Sequence, residues 1–294
     1  MAARSTVTRP KNILLATDLT PACDRAWERA RQLAVEWNAA LTVCHVVEAS
    51  SLRPWGIERR VKNAETELHR LVGCSRDELK QKLSCHILVG DPADRTIEHA
   101  RSISSDFIIT GPAHGKVLGD KLLGSTAARI VRMAEQPVLA VRRRADNAYS
   151  AVAAAVDFSA PSRRAFDRAR ALFPNARFTV VHAYEVSPDF GGRNEEKSLD
   201  VVEAEEKARV VRLAEQAMAD FVGVGGRGAA KEETVLEQGT AELVMAAYVD
   251  KHWPDLVVTG THGRSGVQQT VIGSVAEGLL KSLPCDVLAV PFKQ

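Results

Sequence analysis

The chain has 294 residues, of which 45% are hydrophobic and 26% are charged, a globular composition long enough for two domains. Its 39 basic and 37 acidic residues nearly cancel, which gives no electrostatic case for nucleic acid or an anionic membrane as the main partner. The run RRR at 142–144 is the only dense basic patch, and we expect it to be a solvated linker.

The cysteines and the N-terminal segment bear on the compartment. Five cysteines form an odd set without a C-x-x-C pair, which argues against a disulfide framework and for a reducing compartment. Cys74 and Cys85, with His69 and His86 nearby, match no common zinc spacing, so we expect no metal site. Residues 1–12 lack the apolar core of a signal peptide, and no apolar run approaches membrane-spanning length. We therefore expect a cytoplasmic protein without membrane contact.

Along the first half of the chain, apolar runs of strand length alternate with helical patterns. Strands are predicted at NILLA (12–16), LTVCHVV (41–47), CHILV (85–89), DFIIT (106–110) and PVLAV (137–141). Helices are predicted at 22–37, about 58–83, 92–103 and 124–135. Thr20 and Pro21 supply an N-cap and N1 pair before the first of these helices.

The second half repeats this pattern in the same order. NILLATDLTPACDRAWERA (12–30) resembles AVAAAVDFSAPSRRAFDRA (151–169), and LLGSTAARIVRMAEQPVLAV (122–141) resembles VIGSVAEGLLKSLPCDVLAV (271–290). The second set of strands is predicted near 151–156, 178–183, 233–236, 255–259 and 286–290. The repeat predicts one domain at 1–143 and another at 151–294, with a polar junction around RRRADNAYS (142–150).

Continuous apolar strands separated by amphipathic helices indicate parallel strands covered on both faces. We therefore predict an α/β fold made of two tandem doubly wound five-stranded parallel-sheet domains, similar to Rossmann-like folds. Ligands of such sheets bind beyond the carboxyl ends of the strands, where the strand order reverses. Asp18 and Asp157 follow the first strand of each half, and a glycine-containing loop follows each fourth strand.

The second of these loops has the pattern of a phosphate-binding turn. It reads G-x2-G-x9-G-S, with Gly260, Gly263, Gly273 and Ser274. Glycines let the backbone approach a ligand closely, and the N-terminus of the following helix offers unpaired N–H groups and a positive dipole end. Ser274 can add a hydroxyl donor, and Asp157 can accept hydrogen bonds from a base or a ribose. A tight turn with a serine cap remains the alternative interpretation.

The aspartate after strand one, the His-Ala or His-Val pair ending strand two, and the glycine pattern after strand four together resemble the universal stress protein family. The similarity covers both halves, and members with this intact signature bind ATP or related adenine nucleotides. The resemblance implies that Asp157 and the backbone of Ala183 contact the adenosine end. It implies that the ribose and phosphates lie against Thr259, Gly260, Thr261, Gly263, Gly273, Ser274 and Val275.

The first half departs from the pattern. Its middle glycine, Gly115, sits one residue later, giving G-x3-G-x8-G-S, and Pro112 has no N–H to donate. We therefore expect a weaker first site, which binds nucleotide poorly or not at all. Its candidate residues are Asp18, Val46, Gly111, Gly115, Gly124 and Ser125.

Other candidates are less specific. GDKLLGST (119–126) has Ser125 where a Walker A loop needs its lysine, so an efficient P-loop NTPase is not expected. His262 is a general base, a phosphate contact or simply a loop residue. His45 and His182 are expected to be structural, bonded to neighbouring backbone. Trp27 and Trp37 are expected to be packing residues. We therefore assign no catalytic residue.

In the resembled family the fifth strand mediates dimerisation, and an edge strand exposes groups that can pair with another chain. We expect the two fifth strands to pair half against half, as an intramolecular pseudo-dimer, with a further homodimer of tandem chains left open. The leading functional prediction is a stress-response sensor or regulatory module that binds ATP, with or without Mg²⁺, in its second half. The alternatives are a slow ATPase or phosphotransferase, and a nucleotide-free scaffold or a carrier of another small ligand.

Overall fold

The fold is described from a computed structural model. It describes residues 9–48, 54–73, 76–79, 82–111, 124–186, 199–223, 232–261 and 272–292.

The first half alternates strands and helices as the apolar periodicity predicts. Its strands are β1 (Asn12–Ala16), β2 (Ala40–Val47), β3 (Leu83–Val89), β4 (Phe107–Thr110) and β5 (Val138–Ala140). Its helices are α1 (Asp24–Trp37), α2 (Pro54–Val72), α3 (Arg76–Leu79), α4 (Pro92–Ser102) and α5 (Ser125–Met133), with a 3-10 turn at Pro21–Cys23 ahead of α1.

The second half repeats this order. Its strands are β6 (Ala151–Ala155), β7 (Arg177–Tyr184), β8 (Glu233–Gln238), β9 (Leu256–Gly260) and β10 (Asp286–Val290). Its helices are α6 (Ala160–Leu172), α7 (Leu199–Gly223), α8 (Ala241–His252) and α9 (Ser274–Ser282).

One helix prediction needs correction, whereas the positions of Thr20 as N-cap and Pro21 at the start of the first helix are confirmed. The pattern predicted one helix over about 58–83, whereas α2 begins at Pro54, ends at Val72 and is followed by the short α3 before β3 begins. Proline is well suited to the first helical turn, which fits the start of α2 at Pro54. The first helix begins as a 3-10 turn after Thr20, whose side chain makes no capping bond. Its hydroxyl donates instead to Asp18 Oδ1 at 2.7 Å.

All ten strands form one sheet, in the order β3-β2-β1-β4-β5-β10-β9-β6-β7-β8. Within each half the neighbouring strands are parallel, and the order reverses between the first and fourth strand of the half. This is the doubly wound topology predicted from the sequence, and it places a crevice at the carboxyl ends of those strands.

The halves are joined by the fifth strands. β5 and β10 pair antiparallel, with Leu139 opposite Leu288. The predicted intramolecular pseudo-dimer is therefore confirmed, and neither fifth strand is left as a sheet edge. Because the join is antiparallel, the carboxyl ends of the two sets of parallel strands lie at opposite edges of the sheet.

One apolar layer continues across the join. Trp37, at the end of α1, packs edge-on against Phe107 of its own half at a centroid distance of 5.2 Å. It also lies 5.9 Å from Phe173 of the other half. Trp27 and Trp37 are each only 6% exposed, which confirms the prediction that they are packing residues. The core on this face of the sheet therefore belongs to both halves.

The basic run at the junction is not a solvated linker, and that prediction is wrong for its first residue. Arg142 is 4% exposed and donates to the carbonyls of Cys285, at 3.4 Å, and of Leu280. Its backbone N–H donates to the buried carboxylate of Asp286 at 2.7 Å. The sequence pattern missed this because burial of Arg142 depends on the β5–β10 join, which brings Asp286 of the second half against the junction.

The carboxylate of Asp286 is contacted by several residues of the junction. It accepts hydrogen bonds from the backbone N–H of Arg143 at 2.9 Å and from the hydroxyl of Tyr149 at 2.5 Å. The Nε of Arg29 lies 3.7 Å from the same carboxylate. A buried carboxylate is tolerated where charge and donors surround it in this way.

Among the described residues, no helix has both the length and the apolar character needed to cross a membrane.

Candidate functional site

A cavity of about 380 Å³ opens at the carboxyl ends of the second-half strands. It is bounded by the ends of β6, β7 and β9 and by the first turns of α8 and α9. The lining residues are Ala155, Val156, Asp157, Ser162, Val181, His182, Ala183, Ala241, Val244, Met245, Thr259, Gly260, Gly273, Ser274, Val275 and Ala276. We call this space the second pocket.

Asp157 is held at the end of β6 by a tight local turn. Its Oδ1 accepts the backbone N–H of Ser159 at 3.0 Å and the hydroxyl of the same residue at 2.5 Å. Phe158, between them, has φ +62°, a left-handed conformation that side chains rarely adopt. Such strain is maintained where the surrounding structure fixes it, so the aspartate is positioned rather than loosely placed.

His182 supports this turn from β7. Its Nδ1 lies 2.7 Å from the carbonyl of Val156 and donates to it. The ring of Phe158 packs on the imidazole at a centroid distance of 4.1 Å. The structural role predicted for His182 is confirmed, and the same holds for His45, whose Nδ1 lies 2.9 Å from the carbonyl of Thr17.

The opposite part of the second pocket is the N-terminus of α9. Gly273 is the N-cap, with no side-chain capping bond. Its N–H donates to the carbonyl of Thr261 at 2.8 Å, and the N–H of Thr261 donates to Val290 at 3.0 Å. These bonds fix the entry into the helix. The first turn of a helix presents N–H groups and a positive dipole end, which together suit an anion.

The structure brings most of the predicted second-site residues to one place. Seven of them line the second pocket: Asp157, Ala183, Thr259, Gly260, Gly273, Ser274 and Val275. Thr261 is buried behind the lining and holds Gly273. Gly263 and His262 lie outside the described residues.

Sequence reasoning missed the wall formed by α8. Ala241, Val244 and Met245 of this helix line the pocket, and they belong to neither motif. The available signal was Thr240, which follows Gly239 and caps α8 by accepting the N–H of Leu243 at 3.4 Å. A strand, a Gly-Thr turn and a helix mark another carboxyl strand end at the same edge of the sheet.

The first half contains a smaller cavity of about 240 Å³ at the equivalent place. We call it the first pocket, and it is lined by Ala16, Thr17, Asp18, Cys23, Cys44, His45, Val46, Pro92, Thr96, Thr110, Gly111, Gly124, Ser125, Thr126, Ala127 and Ile130. Five predicted first-site residues are among them, namely Asp18, Val46, Gly111, Gly124 and Ser125. Gly115 and Pro112 lie outside the described residues.

The first pocket repeats the aspartate turn of the second. Asp18 Oδ1 accepts the backbone N–H of Thr20 at 2.9 Å, and Leu19 has φ +61°. Ser125 begins α5 after the N-cap Gly124, as Ser274 begins α9. The two pockets therefore share one construction, and their differences lie in the lining.

Two thiols distinguish the first pocket. Cys23 and Cys44 stand where the second pocket has Ser162 and Val181. A Cβ added to Gly111 would meet Cys23 Sγ at 2.4 Å, so this sulfur packs directly on the backbone after β4. Burial raises the pKa of Cys23 to about 12, and the side chain of Asp18 adds to this while a backbone hydrogen bond at Asp18 opposes it, so the group remains a neutral thiol at pH 7. The sulfur therefore narrows the first pocket and makes a hydrogen bond with the side chain of Asp18.

The helix beside the first pocket also has a charged cap. Asp91 caps α4 by accepting the N–H groups of Ala93 and Asp94, both at 3.0 Å. Arg129 of α5 pairs with Asp91 and Asp94 at 2.7 and 2.8 Å. The N–H of Asp94 and the guanidinium of Arg129 hold the pKa of the Asp91 carboxyl below its usual value. The equivalent cap in the second half is the neutral Thr240.

Within the described ranges, no group of three or more His, Cys, Asp or Glu residues is placed to hold a metal ion. Cys74, one of the residues considered for zinc, lies outside those ranges.

The strand order and the two strand-end crevices define a tandem pair of doubly wound α/β domains. The model of the Universal stress protein family matches this chain twice, over residues 10–142 and 148–291. The chain belongs to the universal stress protein family, as a member with two copies of the family fold.

Individual relatives agree with this assignment. The "Universal stress protein A homolog 1" of Coxiella burnetii is 35% identical over 144 residues, which cover 45% of this chain and 95% of that protein. A universal stress protein structure from Archaeoglobus fulgidus aligns over 96% of this chain and 98% of its own, with a TM-score of 0.67 and 17% identity. A putative universal stress protein from Pseudomonas aeruginosa aligns over 98% and 95%, with a TM-score of 0.67 and 20% identity. The two structures share the fold of the whole tandem chain.

Proposed function

We propose that this protein binds ATP or a related adenine nucleotide in the second pocket and acts as a sensor or regulatory module in a stress response. The observation that carries the proposal is that one cavity contains both a positioned aspartate, Asp157, and the glycine-capped N-terminus of α9. A nucleotide needs hydrogen-bond acceptors for its sugar or base and donors for its phosphates, and these two features supply one of each.

The chemistry of the lining fits this division. Apolar side chains of Val156, Val181, Val244 and Met245 offer a surface for a flat base. At the N-terminus of α9, the backbone N–H groups of the first turn and the hydroxyl of Ser274 are donors for phosphate oxygens. Among the described lining residues there is no lysine or arginine, so Mg²⁺ entering with the phosphates of ATP would supply the balancing charge.

We propose binding and no catalysis, because the ionisable side chains that line the second pocket already make hydrogen bonds that hold the fold. Asp157 holds the turn at Ser159, and His182 donates to Val156. Neither arrangement leaves a positioned base beside the N-terminus of α9. We propose that nucleotide occupancy of the second pocket alters the surface that the second half offers to a partner.

We propose further that the first pocket binds nucleotide more weakly than the second. It is smaller, at about 240 against 380 Å³, and Cys23 packs on Gly111 within it. The carboxylate of Asp91 lies at the neighbouring helix N-terminus, where it occupies two N–H donors of α4.

The test is a matched pair of substitutions, Ser274→Glu and Ser125→Glu. Each changes the first residue of a nine-residue helix behind a glycine cap. Glutamate is favourable in the first turn of a helix, so both variants should fold. A carboxylate at Ser274 would repel the phosphates, and we expect ATP affinity measured by calorimetry to fall at least tenfold for Ser274→Glu and less than twofold for Ser125→Glu. Equal affinities for the two variants would reject the second pocket as the nucleotide site.

A further inference from the structure

A third cavity, of about 550 Å³, lies away from both strand-end pockets. It forms where α1 of the first half, the junction after β5 and the second half meet. We call it the junction cavity, and its lining residues are Arg25, Arg29, Arg142, Arg143, Arg144, Asp146, Asn147, Ala148, Ser150, Asp255 and Pro284.

Positive charge exceeds negative charge around the junction cavity. Five of its lining residues are arginines, and the carboxylates in the lining are those of Asp146 and Asp255. Two further carboxylates are close by: Asp286 is 3.7 Å from Arg29, and Glu28 is 3.7 Å from Arg144. Even with these included, five positive groups face four negative ones.

The bonds that hold these arginines leave much of their charge unneutralised. Arg25 donates to the carbonyl of Arg142 at 2.7 Å, and Arg143 to that of Pro254 at 3.1 Å. Arg29 donates to the carbonyl of Asn147 at 2.8 Å. A carbonyl oxygen satisfies a donor but carries no net charge. Apart from Arg29, which also lies beside Asp286, these guanidinium groups are held by neutral carbonyl oxygens.

Several donors of the same arginines have no hydrogen-bond partner. Arg29 Nε, Arg142 Nε and Arg143 Nη2 are buried and unbonded within the described structure. Buried polar atoms are nearly always paired, and an unpaired one calls for an explanation such as an ion. The orphaned atoms are themselves shielded, but they belong to guanidinium groups that line the cavity.

Aromatic rings hold two of the guanidinium planes. The guanidinium of Arg29 lies 4.1 Å from the centre of the Tyr149 ring, and that of Arg143 lies 4.9 Å from the Trp253 ring. Stacking of this kind fixes the orientation of the fork of N–H donors. At the rim, Arg25 and Arg144 are exposed and can reach a ligand without rearrangement of the core.

The repeat does not supply a second set of arginines equivalent to those of the junction cavity. Arg164 and Arg168 of α6 occupy the positions of Arg25 and Arg29, but the residue after β10 is Pro291, where the first half has Arg142. The junction itself supplies the additional arginines, so this charge cluster is a property of the tandem chain.

We propose that the junction cavity binds a short polyphosphate chain, either free or as the triphosphate of a nucleotide. Guanidinium forks pair with phosphate oxygens through two parallel hydrogen bonds, and a chain of phosphates would engage several of them at once. Binding there would tie α1 of the first half to the junction and to the second half, and so would stiffen the join between the two copies.

The test uses inorganic tripolyphosphate and calorimetry on the full chain carrying Ser274→Glu, which removes phosphate binding at the second pocket. Two pairs of substitutions are added to it. Arg25→Gln with Arg144→Gln removes the rim of the cavity, and Arg164→Gln with Arg212→Gln removes two exposed arginines elsewhere. All four side chains are exposed, so folding should be preserved, which circular dichroism checks.

We expect one tripolyphosphate per chain, at least tenfold weaker binding for the rim pair, and a change below twofold for the control pair. Raising the potassium chloride concentration should weaken binding, since the attraction is between charges. Absence of binding, or equal losses for the two pairs, would overturn the proposal. Competition by ATP would assign the site to a nucleotide triphosphate, and its absence would assign it to free polyphosphate; either result supports the site.

Discussion

Each strand-end pocket begins with an aspartate whose carboxylate is fixed by the residue two positions further on. In the second half that partner is Ser159 and in the first it is Thr20, and in both the residue between has a positive φ. Both copies of the fold therefore have the same strained backbone conformation after the aspartate. The pockets differ in their lining side chains. At one position the first pocket has the sulfur of Cys23 where the second has the hydroxyl of Ser162.

Four buried groups make the folded chain sensitive to alkali. Burial raises the pKa of Cys23 and of Cys44 from 9.0 to about 12, and that of Cys285 from 9.0 to about 11. Burial, with the nearby charge of Asp286, raises the pKa of Tyr149 well above 10.0. A group whose pKa is higher in the folded state contributes stability below its unfolded pKa, and that stability is lost as the pH rises.

We therefore expect the free energy of unfolding to fall steeply above about pH 9. Each thiol that ionises only in the unfolded chain contributes a slope of about 1.4 kcal/mol per pH unit. Three thiols together give about 4 kcal/mol per pH unit between about pH 9 and 11. Urea unfolding at pH 8, 9.5 and 10.5 measures this slope.

The matched variant for this prediction is taken from the repeat. Cys23→Ser and Cys44→Val introduce the residues found at the equivalent second-half positions, and Cys285→Ala completes the set. The triple variant should retain only the weaker slope caused by Tyr149, which sets in above about pH 10. If its slope equals that of the parent chain, the thiols are not the cause of the alkaline loss.

At the scale of helices and strands, the sequence predicted the order of elements and most of their positions. DVLAV at 286–290 coincides with β10, and NILLA at 12–16 with β1. These strands are buried on both faces, so an unbroken apolar run identifies them. The helix over 58–83 was predicted less well because its ends lie in a mostly polar segment, which has no unbroken apolar run to mark them.

The candidate site was predictable where its residues adjoin a strand end. Asp157, Gly260 and Ser274 could be placed because parallel strands bring their carboxyl ends to one edge. Val244 and Met245 could not, since their position depends on how α8 packs across the sheet. The same limit applies to Arg142, whose charge predicted exposure until the second half supplied Asp286 and two carbonyl partners.

At the scale of the whole molecule, the two halves share a sheet and one of its covering layers. β5 pairs with β10, and Trp37 of the first half contacts Phe173 of the second. Unfolding either half alone would expose an apolar surface and the edge of the remaining sheet. The halves should therefore unfold together.

We expect a single urea transition that is the same for two different probes. Trp27, Trp37 and Trp55 lie in the first half and only Trp253 in the second, so tryptophan fluorescence reports mainly on the first half. Far-ultraviolet circular dichroism reports on both. Coincident curves are the result expected of a cooperative unit.

A bound nucleotide sharpens this test. Saturating ATP should move both curves to higher urea by the same amount, although the ligand lies in the second half, because binding stabilises the whole cooperative unit. Separation of the fluorescence curve from the dichroism curve, with ATP moving only one of them, would show that the halves unfold independently.

We propose that the chain binds one adenine nucleotide, in its second half. The most direct measurement is the nucleotide content of freshly purified protein, obtained by denaturing the chain and separating the released nucleotides by ion exchange, with and without prior addition of ATP. We expect about one nucleotide per chain, and a value close to zero after Ser274→Glu. No nucleotide and no uptake of added ATP would contradict this, and a value near two would show a second nucleotide site, in the first pocket or in the junction cavity.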